Sequence, residues 1–193
     1  MGDEMRSALL SICVLILCCS FSAECQIETA VKPVSNEAKA DKGPAEPMQG
    51  IVDALAGTWT ITWAGVDGQV IGNGREIWRM APGGTAFVEE NRSKVNGKSA
   101  DDYAVMWWDS KAQRVHGIWC DGSINDEGCS GFDATLKGEE VILTGEWEFQ
   151  QKRQAWREVF SSRRGAMAMK QTQYVGEPGK DLKLASMIAG VRR

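Results

Sequence analysis

The chain has 193 residues, 26 acidic and 22 basic, and a formal net charge of −4 with its one histidine neutral. That length is room for one domain of ordinary size. An acidic balance whose densest basic run is Arg163-Arg164 excludes the usual electrostatic footprint of a nucleic-acid binder, and 43% hydrophobic with 25% charged residues excludes a wholly disordered chain.

In chain order, the first element is an apolar run of 12 residues, Ala8 to Cys19. It is too short to cross ~30 Å of hydrocarbon, which takes about 20 residues, but it has the length of a signal-peptide core. Small residues Ser20, Ser22 and Ala23 follow, so residues 1–23 are expected to be a signal peptide cleaved after Ala23 or Ser22. Asp3 and Glu4 make the stretch before Arg6 acidic, whereas a start at Met5 gives a basic leader. The residues before the leader cysteines, such as Leu17 and Glu24, are not the small ones that a lipid anchor requires. The expected location is therefore extracytoplasmic, periplasmic or secreted, with no transmembrane span in the mature chain.

Cleavage removes two acids and one base, leaving 24 and 21, together with three cysteines. An oxidising compartment permits a disulfide. Cys120 and Cys129 are the natural pair, with Cys25 left over near the new N-terminus. From residue 24 to Met48 the chain is polar, carries three of the five prolines and has no aromatic residue, so it reads as a disordered tether. A short helical turn is expected over Gln49–Ala56, with Ile51 and Leu55 on one side.

The folded domain is expected over residues 49–193. All eight tryptophans lie between Trp59 and Trp156, and no proline interrupts the 95 residues from Gly83 to Glu177. Trp59, Ile61 and Trp63 alternate with threonines, and Val141, Leu143, Trp147 and Phe149 alternate with Thr144, Glu146 and Glu148. Each pattern describes a strand with one wet face. Nine turn signals, among them Asn96-Gly97, Lys137-Gly138 and Arg164-Gly165, cut the region into ten segments. No crossover helix separates them. The expectation is an all-β fold: about ten antiparallel strands in an up-and-down meander, closed into a barrel that hides its edges.

The segment Leu55-Ala-Gly-Thr-Trp59 resembles the Gly-x-Trp opening of calycin barrels such as lipocalins and fatty-acid-binding proteins. That resemblance implies a tryptophan closing one barrel end near an arginine from a late strand, for which Arg192 is the candidate. More closely, Trp107-Trp-Asp109, Gly117-Ile-Trp119, Leu143-Thr-Gly-Glu146 and Arg157-Glu-Val159 resemble the bacterial family called domain of unknown function 1579. This resemblance implies a calycin-like barrel with no assigned activity. Nitrobindin-type haem barrels are a neighbouring type, but they take the iron ligand from late in the chain. The one histidine here, His116, lies in mid-chain.

No metal or cofactor site is expected. A single histidine rules out a three-histidine zinc site, and alternation puts His116 in phase with Ile118, on the side opposite Trp119. The loop from Asp121 has the one-three-five spacing of a calcium loop but carries Asp126 and Phe132 where glycine and glutamate belong. No nucleophile elbow is present around Ser161 or Ser162.

Polar residues in the inward phase are more informative. Glu158 shares its side with Trp156 and Phe160, and Glu76 with Trp78 and Met80. On the strand after Gly84, Phe87 in the core brings Glu89 and Asn91 inside, whereas Ala86 and Val88 in the core bring Glu90 and Arg92 instead. Met167 and Met169 share a side with Gln171 and Gln173. Glu158, Glu76, Glu89, Gln171, Gln173, Trp156 and Trp147 are thus the candidate ligand pocket. A buried carboxyl must be paired or protonated, and Arg75, Arg92 and Gln171 are the expected partners of Glu158. Three functions compete: a barrel binding a small, mostly apolar molecule, an enzyme moving protons with inward carboxyls, and a filled structural barrel. N-terminal sequencing of the protein from its own host should begin at Ala23 or Glu24; an intact Met1 or Met5 refutes the leader.

Overall fold

The computed structural model describes residues 45–121 and 128–193, so the expected leader, most of the tether and the tip of the Asp121 loop lie outside the described residues. One helix, α1 (Glu46–Leu55), precedes eleven strands: β1 (Gly57–Ala64), β2 (Val70–Met80), β3 (Ala86–Val95), β4 (Lys98–Ser99), β5 (Asp102–Asp109), β6 (Arg114–Cys120), β7 (Cys129–Lys137), β8 (Glu140–Phe149), β9 (Lys152–Ser161), β10 (Ala168–Gly176) and β11 (Lys183–Arg192). The helix starts earlier than the expected Gln49. Pro47 stands in its first turn, where a missing N–H costs nothing, and Met48, only 1% exposed, joins Ile51 and Leu55 in the core. The stretch expected to be tether therefore gives up its last residues to the folded unit.

Ten strands form a closed antiparallel barrel in the circular order β1, β2, β3, β5, β6, β7, β8, β9, β10, β11. Pairing of the first strand with the last closes it, Trp59 lying opposite Arg192 and Ala64 opposite Met187. The segment read as one strand after Asn96-Gly97 is two. Asn96 and Gly97 both take positive φ (52° and 77°), making a tight hairpin from which the two-residue β4 folds back on β3 alone, outside the barrel. The β8–β9 pairing is continuous through Gly145↔Trp156, Leu143↔Glu158 and Val141↔Phe160. No bulge reverses the inward phase there.

The helix plugs one end. Ile51 and Leu55 pack with Trp59, Phe87, Met106, Phe132, Val141, Phe160 and Ile188 into one apolar cluster. Two of the helix's last carbonyls, which have no partner within it, accept side-chain hydrogen bonds: Trp59 Nε1 donates to Leu55 O at 2.9 Å and Ser162 Oγ to Ala54 O at 3.0 Å. The Arg192 guanidinium lies 4.5 Å from the Trp59 ring centre, as the calycin resemblance implies.

The Gly-x-Trp pairs at Gly117 and Gly145 also have a packing origin. Each glycine faces inward opposite an aromatic residue on the next strand, Phe132 and Trp156 respectively. A Cβ on Gly117 would stand 2.3 Å from the Phe132 ring, and one on Gly145 2.8 Å from Trp156. The rings lie flat across bare backbone, which carries Trp119, Trp147 and Trp156 into mutual contact at centroid distances of 5.4–6.0 Å.

Cys120 and Cys129 are directly opposed across β6–β7 and form a disulfide. They stand nine positions apart in sequence, so in the chain-entropy picture the bond contributes roughly 2–3 kcal/mol. The double variant C120S/C129S should lose about that much in a denaturant titration, and both cysteines of the native, unreduced protein should resist thiol reagents.

Candidate functional site

Away from the helix the barrel is not filled. A cavity of about 390 Å³ occupies its other half, which removes the filled-barrel reading. The floor is the top of the apolar cluster, including Phe132, Leu143, Phe160 and Ile188. The wall is aromatic, with Trp63, Trp78, Trp119, Trp147 and Trp156. The mouth lies at the end with the β3–β4 hairpin; Lys98, Arg157 and Tyr174 also line the cavity, as does the buried Asp121.

All seven residues of the candidate pocket line this cavity. Alternation on separate strands brings them together: Glu76 from β2, Glu89 from β3, Trp147 from β8, Trp156 and Glu158 from β9, Gln171 and Gln173 from β10. Glu76 is 3% exposed and Glu89 5%. The Trp78 indole N–H donates to Glu76. Glu158 accepts a hydrogen bond from Gln173 Nε2 at 2.7 Å, and Gln173 in turn accepts one from Ser186. The expected arginine partners are not inside. Arg75 and Arg92 are exposed on the outer wall, because strict alternation turns them out whenever Glu76, Asn91 and Ser93 turn in. Met167 departs from its expected inward place as well. It precedes β10 and is 63% exposed, since the strand begins only at Ala168.

A fourth carboxyl, Asp102 at the start of β5, was not among the candidates. Its phase with Ala104 and Met106 was the signal, masked by a neighbouring Asp101 that makes the pair look like a turn. Asn91 Nδ2 donates to Asp102 Oδ2 at 2.8 Å and Ser93 Oγ to Asn91 Oδ1 at 2.6 Å, while Trp63 Nε1 reaches Ser93 Oγ at 3.3 Å.

Loss of water dominates the electrostatics of the four groups. Burial pushes Glu76 up to about 8, with the Trp78 hydrogen bond opposing and the negative charges of Asp102 and Glu158 adding to the rise. Burial raises Glu158 to about 7, assisted by Asp102 and opposed by hydrogen bonds from Gln173 and Gln171. Asp102 rises to about 6, again through burial, with the bonds from Asn91, Glu89 and Trp119 holding it down. Glu89 lies well above the carboxylate range through burial and the charges of Asp102 and Glu76. Hydrogen bonding with Asp102 adds to this rise. Among the described residues, none of the four carboxyls takes part in an ion pair.

His116 is on the outer wall, its Nδ1 2.9 Å from Asp133 Oδ1 and its ring edge-on to Trp107 at 5.5 Å. It faces away from the cavity and cannot ligate anything held there. No group of three potential metal ligands gathers among the described residues.

No family profile matches the chain, and no curated protein matches it. Among solved structures it is similar to that described as "Crystal Structure of Rv2717c from M. tuberculosis" at 12% identity and a TM-score of 0.54, over 78% of this chain and 99% of that one. At that identity the likeness concerns the fold.

The raised carboxyls make stability depend on pH. The folded protein holds protons that the unfolded chain, with Glu near 4.5 and Asp near 3.8, has already lost. This contribution is present in full below the unfolded values and is lost as pH rises through the folded values, about 6 to 8. The thermal midpoint should fall between about pH 5 and pH 8.5, and Glu76→Gln or Glu158→Gln should flatten the fall. Glu146→Gln, on the outer wall beside Arg153, should leave it unchanged. A midpoint that is flat or rising over this range overturns the assignment.

Proposed function

We propose that this chain is an exported, calycin-like barrel that binds a small, mostly apolar molecule with a polar end, and that it belongs with the domain of unknown function 1579 family. The observation that carries the binding reading is the cavity itself: about 390 Å³, within the range of small-molecule sites, apolar in most of its lining, with a few convergent polar groups. A filled calycin barrel would have side chains there. Holding open a space lined by buried carboxyls costs stability, and a ligand is what recovers it. The extracytoplasmic placement draws on the leader-like residues 1–23 together with the Cys120–Cys129 disulfide. The family assignment rests on the four short stretches that carry the resemblance.

A second reading has its own support. Glu158 near 7 and Glu76 near 8 stand where a carboxyl can both give and take a proton around neutral pH. An isomerase- or hydrolase-type reaction would use them in that way. The two readings part on the fate of the ligand, since a carrier returns it unchanged.

Native mass spectrometry of protein purified from its own host should show a retained small molecule. Ala104→Phe, which fills the cavity from the β5 wall, should abolish retention while the protein stays folded. Chromatography of the molecule before and after incubation with fresh protein separates carriage from turnover. Equal retention by the wild type and the filled variant overturns the cavity as the binding site.

A further inference from the structure

We propose that the ligand is a cation, a hydrophobic ammonium whose charge sits among Glu76, Asp102 and Glu158 and whose apolar body lies along the tryptophan wall. This rests on the binding reading above and names the chemistry the cavity selects.

Charge inside the cavity is one-sided. β2 supplies Glu76, β3 Glu89, β5 Asp102 and β9 Glu158, while β1, β7, β8, β10 and β11 face it with Ile61 and Trp63, Phe132, Leu143 and Trp147, Gln171, Gln173, Tyr174 and Val175, and Ile188, none of them cationic. The cationic lining residues, Lys98 of β4 and Arg157 of β9, are both exposed, whereas Asp121 is buried and adds a further acid to the lining. Arg157 is turned onto the Tyr174 ring at 4.5 Å rather than toward the carboxyls. A filled structural network would hold an internal arginine or lysine against such a cluster, yet the nearby Arg75 and Arg92 both face out.

Independent of the carboxyls, Gln171 is 5% exposed, lines the cavity, and leaves its Oε1 without a hydrogen-bond donor among the described residues. A buried amide oxygen with no donor is costly, and turned into the cavity that Gln171 lines it would accept from an ammonium N–H. The aromatic wall serves the same ligand, since indole faces attract cations and form cages around alkylated ammonium groups. A carboxylate ligand, by contrast, would find no cationic partner among the inward side chains.

Binding of a cation favours the ionised carboxyls, so it expels protons from Glu76, Glu158 and Asp102. Affinity for an ammonium therefore rises with pH across the interval in which these groups ionise, and affinity for a neutral analogue does not.

The test is isothermal titration of the full-length protein, stripped of retained molecules, with 2-(4-methoxyphenyl)ethylamine, the corresponding alcohol and the corresponding carboxylate. At about pH 8 the amine should bind at least about tenfold more tightly than the alcohol, with the carboxylate weakest, and the advantage should shrink at about pH 5. Glu158→Gln should cost the amine about tenfold and leave the alcohol unchanged. Glu76→Gln serves as a second variant, with a thermal melt confirming that each is folded. Equal binding of amine and alcohol, or preference for the carboxylate, overturns the cation while leaving a binding barrel. No binding by any of the three, with nothing retained from the host, overturns both.

Discussion

Ten strands wound in sequence are still an open sheet until the first finds the last. The β1–β11 pairing, six residue pairs from Trp59↔Arg192 to Ala64↔Met187, is where the two edges of the meander cease to exist. It is also the most non-local contact in the fold, and it is reinforced at its helix end by local chemistry. Trp59 is held from one side by the Leu55 carbonyl and from the other by the Arg192 guanidinium, so the helix, the first strand and the last strand meet on one ring. Without that meeting, both edge strands would present unpaired N–H and C=O groups to solvent or to another chain. The inward side chains would then lose the enclosure that gives them their properties.

Closure divides the barrel into two halves of different character. At the helix end, large apolar side chains fill the space and supply the hydrophobic stabilisation. At the other end the same inward phase carries carboxyls, amides and tryptophans around an open volume. The two halves are linked energetically. A dry, rigid floor excludes water from one side of Glu76, Glu89 and Glu158, and that exclusion, more than any one neighbour, lifts them out of the carboxylate range. The glycines at Gly117 and Gly145 act on the same boundary. By letting Phe132 and Trp156 lie against bare backbone, they seat the tryptophan wall just above the floor.

The disulfide fits this division. Cys120 and Cys129 join β6 and β7 at the mouth end of the barrel, beside the buried Asp121. Hydrophobic packing is thin there, because the interior is open. A covalent link in that place limits the freedom of the unfolded chain where packing cannot offset it. The outer wall carries ordinary ion pairs, such as Arg114–Asp133 and Arg79–Glu90. Pairs this exposed add little stability.

By itself the sequence determined what depends on local periodicity and turn chemistry. Two-residue alternation along β1, β8 and β9 decided which side chains face in, and glycine and asparagine turns decided where strands reverse, because both are set within a few residues. That was enough for the barrel class, the cysteine pair, the outward His116 and, Glu89 apart, the candidate side chains that line the cavity; the phase of Glu89 stayed open between two registers. It did not reach Asp102, whose inward place was hidden by Asp101 beside it, nor the start of α1, where a tether-like composition concealed Met48 packing onto distant strands. Only the tertiary structure decided that the upper barrel is hollow, that Arg75 and Arg92 leave the carboxyls without a cation, and that Gln173 reaches Glu158. Each of these depends on distances between strands far apart in sequence, and on how much water the closed barrel excludes, which no periodicity along a single strand encodes.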